Sequence, residues 1–196
     1  PLANTPHPIH SYFALLPQDR SAWLVAAAQR EYVRQHLKET RFADLPVVSA
    51  AAPYRCGGAK GVDAYTQIPT GELTRRHLSE LQPFDDTVAA MVVSGAELRA
   101  WLAHASLVYP VLNDIKPEQF LLCPDVPCYQ GDVVLGLAYS IDLTAPHSSS
   151  GRIKHLTYDG NPVKAEQQFV LAMNSYRLGG GGRFPAASIA RRLDVG

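Results

Sequence analysis

Residues 87–106 read TVAAMVVSGAELRAWLAHAS, a strand and a helix set end to end. Thr87 to Val93 is a short apolar run rich in Val, the composition of a buried strand. Ser94 closes the run and suits an N-cap, and Glu97 three places on completes the capping-box spacing. From Gly95 to Ser106, Leu98, Trp101, Leu102 and Ala105 fall on one helical face. A buried strand handing over directly to a core-facing helix predicts a mixed α/β domain.

Upstream, Ser21 opens a helix in which Trp23, Leu24, Ala27, Ala28, Tyr32 and Leu37 alternate with polar residues at helical spacing. Residues Pro1 to Pro17 show no clear period and read as an extended lead-in. LPVVSAAA (Leu45 to Ala52) has the length and composition of a buried strand, and it runs into the turn-rich YRCGGAKG. Arg75 to Leu81 reads as a short helix. Downstream, Tyr109 to Pro127 is irregular, and strands are expected at Val133 to Leu143, Arg152 to Tyr158 and Gln168 to Met173. Turn chemistry separates these at TAPHSSSG and at Asp159 to Asn161.

Bulk properties narrow the function. The chain has 196 residues, 46% hydrophobic and 18% charged, with 18 basic and 18 acidic side chains balancing to zero. A chain of this length buries roughly 70% of its unfolded surface, so no metal or disulfide staple is needed for folding. Zero net charge argues against a nucleic-acid polymer as partner, because such binding relies on clustered excess cations. No apolar stretch approaches the ~20 residues of a membrane span. The start at Pro1, without Met or leader, reads as a fragment or a processed product. Cys123 and Cys128 in CPDVPC are spaced to close a short disulfide worth ~2 kcal/mol by chain entropy. That pairing leaves Cys56 over.

The sequence carries no recognisable catalytic residue and no metal ligand set. HExxH, GxSxG and a P-loop are all absent, and the seven histidines show no metal spacing supported by acids. Asp85 and Asp86 are adjacent, and neighbours on an extended chain point to opposite sides, so they do not share a proton. What remains are loop features. Arg55-Cys56-Gly57-Gly58 sets a cation and free N–H donors at a strand end, an arrangement suited to an anion. Phe84 stands in the Pro-flanked turn LQPFDDT, and Tyr176 stands just before four glycines in NSYRLGGGGRFP. Glycines there permit positive φ and close backbone approach. Aromatic rings in such turns either plug a core or stack a nucleobase, the latter worth ~1–3 kcal/mol per base. Taken singly, packing is the commoner role for each.

Four segments in order carry more information than any one of them. These are VVSAAAPYRCGG, YTQIPTGELTRRHLSELQPFDDTVAAMVVSGAELRAWLAHAS, GDVVLGLAYSIDLTAP with GRIKHLTYDGNPV, and FVLAMNSYRLGGGGRFP. Together they resemble the C-terminal domain of the 5′-nucleotidase superfamily, and most closely its branch of periplasmic 2′,3′-cyclic-nucleotide 2′-phosphodiesterase/3′-nucleotidases. The resemblance runs from about Tyr12 to about Pro185.

The resemblance implies mixed α/β (α+β) sheets of the 5′-nucleotidase C-terminal type with a long N-terminal inter-domain helix. It divides the chain into a lead-in and linker helix, 1–40, and a nucleoside-binding domain, 41–196. In the family two aromatic rings sandwich the base, at the positions held here by Phe84 and Tyr176. It further implies Ser49, Arg55, Cys56, Gly57, Gly58, Asn174, Gly180 and Gly181 as residues lining the substrate. Ser49 stands where related 5′-nucleotidases have Asn, and Gly182 where they have an acid, which favours the cyclic-phosphodiesterase branch. Catalysis is expected from a separate metallophosphoesterase domain of the same polypeptide, holding two divalent metal ions. The implied ligands are adenosine, 3′-AMP and 2′,3′-cyclic nucleotides, and the implied compartment is the periplasm. The alternatives are the C-terminal domain of a 5′-nucleotidase or UDP-sugar hydrolase, and a stand-alone nucleoside-binding module.

Overall fold

The architecture comes from a computed structural model that describes residues 2–16, 19–57, 63–114, 116, 118–147 and 149–196. Its centre is a four-stranded sheet in the order β6-β11-β3-β7, formed by Val88–Ser94 (β6), Gln168–Asn174 (β11), Val47–Ala51 (β3) and Val133–Leu135 (β7). β11 and β3 run parallel, while β6 and β7 run antiparallel to their neighbours. Strands covered on both faces call for apolar side chains along most of their length, as in VVSAA, where only Ser49 is polar, and FVLAM.

The two faces are sorted by alternation. Ala89, Met91 and Val93 of β6 and Phe169, Leu171 and Met173 of β11 point to one side, where helix α3 (Gly95–Ala105) covers them with Leu98, Trp101 and Leu102. Ala90, Val170 and Ala172 point to the other side and meet Val33 and Leu37 of helix α1 (Arg20–Leu37). α3 begins as its sequence dictates. Ser94 Oγ accepts from the Glu97 amide at 3.2 Å and Glu97 Oε2 accepts from the Ser94 amide at 2.7 Å, a cap worth ~1 kcal/mol. Asp19 caps α1 by accepting from the Ser21 amide at 2.8 Å.

Smaller elements frame this core. The lead-in is not merely extended. Ala3–Thr5 (β1) pairs with Gly71–Leu73 (β5), and Ile9–His10 (β2) pairs with Gln67–Ile68 (β4). Both are two- or three-residue ribbons, too short for any period to register in the sequence. Helix α2 spans Arg75–Leu81, as predicted. The strand expected over 133–143 divides at Gly136, whose φ of 99° turns the chain away. Its second part, Ala138–Ile141 (β8), joins Ile153–Tyr158 (β9) and Asn161–Pro162 (β10) in a separate antiparallel sheet. A one-turn helix α4, Ser175–Leu178, follows β11. Among the described residues, no helix is long and apolar enough to cross a membrane.

The cysteine pairing corrects the sequence reading. The disulfide joins Cys56 to Cys128, 72 residues apart, and Cys123 is free. The reason lies in the sheet. β3 and β7 pair with Ala51 opposite Val133; Cys56 is five residues beyond the first and Cys128 five before the second. The ladder therefore delivers both to the same level, with Cα atoms 6.5 Å apart, within the range a disulfide spans.

Candidate nucleoside site

Strand directions bring four segments to one end of the central sheet. Because β3 and β11 are parallel, the chain leaving Ala51 and the chain leaving Asn174 emerge side by side. Because β6 and β7 are antiparallel to them, the segments entering those strands arrive at the same end. The four are residues 52–57, 84–87, 128–132 and 174–182. The carboxyl ends of parallel strands are the customary place for a ligand crevice in α/β sheets.

Phe84 and Tyr176 are on two of these segments and both rings reach solvent, at 54% and 48% exposure. Their turns are locked to one another. The β6–β11 ladder ends with Val88 opposite Asn174 and extends one step further, with the Ser175 amide donating to the Thr87 carbonyl at 2.8 Å and the Thr87 amide to Ser175 Oγ at 3.1 Å. Phe84 meets Tyr54 edge to face, ring centroids 5.4 Å apart. The Tyr54 hydroxyl accepts from Asn174 Nδ2 at 2.6 Å. Burial pushes the Tyr54 phenol above its ordinary value, and a hydrogen bond to Gln82 partly offsets this. Asn174 is fully committed, since its Oδ1 caps α4 by accepting from the Arg177 amide at 2.9 Å.

Beneath Tyr176 lies a buried ion pair. Arg177 Nη2 donates to Asp132 Oδ1 at 2.6 Å and to the Tyr129 carbonyl at 2.6 Å, and Nη1 donates to the Gly181 carbonyl at 2.9 Å. The guanidinium sits 4.1 Å from the Phe184 ring centre, a cation–π contact. Asp132 also accepts from Trp101 Nε1 at 3.0 Å. Burial pushes the Asp132 carboxyl up, and Arg177 and Trp101 act against that shift. One arginine therefore ties the glycine turn, the segment before β7 and the core together. The turn itself needs its glycines. Gly180 has φ 93°, and a Cβ on Gly181 would lie 2.4 Å from the Tyr176 ring, so only glycine lets the ring lie against the turn.

The remaining sequence-predicted residues take different positions. Arg55 and Cys56 are half-buried, the Arg55 carbonyl accepts from Ser11 Oγ, and the disulfide anchors Cys56 to the segment before β7. Gly57 is buried against the Tyr65 hydroxyl, and Gly58 lies outside the described residues. Ser49 is inside the sheet, fully buried, with its hydroxyl accepting from Gln29 Nε2 of α1 at 3.2 Å. It supports the strand from below and does not reach the surface where the rings stand. Behind Tyr54, a cavity of about 10 Å³ is lined by Gln29, Tyr54, Gln82, Asp132, Asn174 and Arg177, room for a single water molecule. Among the described residues, no three of His, Cys, Asp or Glu are grouped to hold a metal ion.

Comparison with known proteins adds to this geometry. The family model for the 5′-nucleotidase C-terminal domain matches residues 16–189. The chain belongs to that family. It is 34% identical over 196 residues to the trifunctional nucleotide phosphoesterase protein YfkN of Bacillus subtilis (strain 168), covering 94% of this chain and 13% of that protein. It is 31% identical over 191 residues to a 2′,3′-cyclic-nucleotide 2′-phosphodiesterase/3′-nucleotidase of Yersinia enterocolitica, covering 90% of this chain and 29% of that protein. The chain thus spans less than a third of the length of these relatives. A solved chain from Staphylococcus aureus, described as a 5′-nucleotidase, superposes with a TM-score of 0.65 at 19% identity, covering 97% of this chain and 34% of that one. That likeness establishes the fold of this family member.

Several residues that shape the site escaped the sequence reading. Tyr54, Asp86, Asp132 and Arg177 each complete a contact to a residue between 45 and 120 positions away, or stand beside one that does. The signal available for two of them was adjacency: Tyr54 precedes Arg55, and Arg177 follows Tyr176. Asp85 and Asp86 do part as expected, Asp85 to solvent and Asp86 inward toward Asn174.

Proposed function

We propose that this domain is the substrate-binding and specificity half of a metal-dependent phosphoric-ester hydrolase acting on 2′,3′-cyclic and 3′-nucleotides. The base stacks between Phe84 and Tyr176. One observation carries the reading: two large rings stand half in water on turns that are otherwise tightly hydrogen-bonded. Exposing such rings gives up burial of roughly 1.5–3 kcal/mol each, which a stacked base would restore. Similarity to 2′,3′-cyclic-nucleotide 2′-phosphodiesterase/3′-nucleotidases supports this substrate class.

The division of labour is physical. Stacking the base here positions the phosphate for chemistry elsewhere, a contribution of proximity and orientation. Two divalent ions in a metallophosphoesterase domain of the same polypeptide would activate the attacking water. The isolated chain is accordingly proposed to be inactive, and the intact protein to work in the periplasm. Half a site implies weak affinity, with adenosine binding at about the millimolar level, roughly 4 kcal/mol. Titration of the chain with adenosine and 3′-AMP, followed by NMR, tests this. Shifts at Phe84 and Tyr176 are expected, and their absence at saturating ligand overturns the proposal. Assay of the intact protein on 2′,3′-cAMP, 3′-AMP and 5′-AMP decides which phosphate is attacked.

A further inference from the structure

Phe84 and Tyr176 are carried by two turns that no covalent bond joins, so their separation depends on polar contacts between the turns. Two of these converge on one carboxylate, which a third contact braces from within its own turn. Asp86 Oδ2 accepts from Asn174 Nδ2 at 3.0 Å and from Gln82 Nε2 at 3.3 Å, while Oδ1 accepts from Ser175 Oγ at 3.4 Å. Asp86 follows Phe84 by two residues and Gln82 precedes it by two, whereas Asn174 and Ser175 lead directly into Tyr176. The circuit closes through Tyr54, which meets Phe84 edge-on and accepts from Asn174 at 2.6 Å.

We infer that Asp86 is a positioning residue for the nucleoside: its carboxylate holds the Phe84 turn and the Tyr176 turn in register and acts through the two rings. The inference rests on the nucleoside reading given above. Its physical basis is the short range of dispersion. A gap of about 0.5–1 Å forfeits a quarter to a half of a contact's attraction, so a base held on both faces requires a fixed separation between the rings. Removing the carboxylate does not open the strands, because the β6–β11 ladder and the Ser175 amide to Thr87 carbonyl bond are independent of it.

The test compares the wild-type chain with Phe84→Ala, Asp86→Ala and Asp86→Asn, using adenosine as the probe. Three quantities are read: Kd, the upfield ring-current displacement of the adenosine H2 and H8 signals at saturation, and the melting temperature. Phe84→Ala should weaken binding about tenfold. Asp86→Ala should weaken it about fivefold and reduce the upfield displacement, with little change in melting temperature. Asp86→Asn keeps one acceptor oxygen and should recover part of both losses. In the absence of ligand, Asp86→Asn should also move the amide cross-peak of Tyr176. Wild-type Kd and displacement in both Asp86 variants, with Phe84→Ala impaired, overturn the positioning role. If the wild-type chain does not bind adenosine, the nucleoside reading fails, and an unmoved Tyr176 cross-peak in Asp86→Asn then removes the coupling as well.

Discussion

Two of the regions that expose apolar side chains, the end of the central sheet and the excursion between α3 and β7, differ in how their backbones are held. At the end of the central sheet, Phe84 and Tyr176 rise from turns fixed by the Asp86–Asn174 contact, the Tyr54 ring and the Arg177–Asp132 pair. In the excursion between α3 and β7, Phe120 is 83% exposed and Leu121 and Leu122 stand out beside it. The flanks of that segment are tied down, by the Leu112 amide to the Leu143 carbonyl and the Cys123 amide to the Val108 carbonyl, both at 2.8 Å. Among the described residues near Phe120 the contact is a local turn, the Gln119 amide to the Lys116 carbonyl at 3.1 Å. Exposure is common to both regions. What separates them is preorganisation: rings on a backbone already fixed lose little entropy when a ligand arrives. Among the described residues around Phe120, no comparable set of side-chain contacts fixes the backbone.

Breaking the frame should therefore cost far more than trimming the excursion. The largest effect is expected from Asp132→Ala, which leaves the Arg177 cation buried and unpaired. Denaturant titration should record a loss of about 3–5 kcal/mol. Phe120→Ser, by contrast, should stay within about 0.5 kcal/mol of wild type. Comparable losses for the two would abolish the distinction between the regions.

Next comes the disulfide. Replacing both Cys56 and Cys128 by Ser removes a link across 72 residues of sequence, and a loss of about 2–4 kcal/mol is expected under oxidising conditions. The same double variant should be insensitive to reductant, whereas wild type should lose that stability on reduction. Equal melting temperatures for reduced and oxidised wild type would contradict the pairing.

Gly181→Ala sharpens the comparison within the site. The new methyl group displaces the Tyr176 ring, so adenosine affinity should fall about tenfold, equivalent to ~1.4 kcal/mol, in the same titration.

The smallest effect is electrostatic and lies outside both regions. Arg191, 2.6 Å from Glu97, holds the Glu97 carboxyl below its ordinary value. A carboxyl depressed in the folded state contributes stability above its unfolded value and loses it as pH falls through the folded one. Stability should thus drop as pH falls below about 4.5, and Glu97→Gln should remove that portion of the slope. The pair is partly exposed, so the difference should not exceed about 1 kcal/mol. An unchanged pH profile in Glu97→Gln would show that the pair contributes nothing.

Legibility in the sequence followed the range of the interaction. Helix α2, the Ser94–Glu97 cap and the apolar run of β11 were readable because period and capping act within a few residues. The mixed α/β class followed from them. The ribbons of the lead-in, the Cys56–Cys128 link and the Arg177–Asp132 pair were not, because each depends on which strands become neighbours. The same holds for the site. Phe84 and Tyr176 stood out as ring-bearing turns, and the family resemblance raised them above packing residues. Asp86 reads from the sequence only as half of an acid pair, since its partner Asn174 lies 88 positions away. Ser49 illustrates the converse. The sequence sets it on the strand that leads to the site, but only the parallel register shows its side chain turned toward Gln29 of α1.

The central claim is that one base lies between these two rings. Intermolecular NOEs from bound adenosine to ring-labelled Phe84 and Tyr176 test it most directly. The account predicts cross-peaks from the adenine H2 and H8 protons to both rings in a single complex. Contacts to one ring alone, or to neither while adenosine is bound elsewhere, would contradict it.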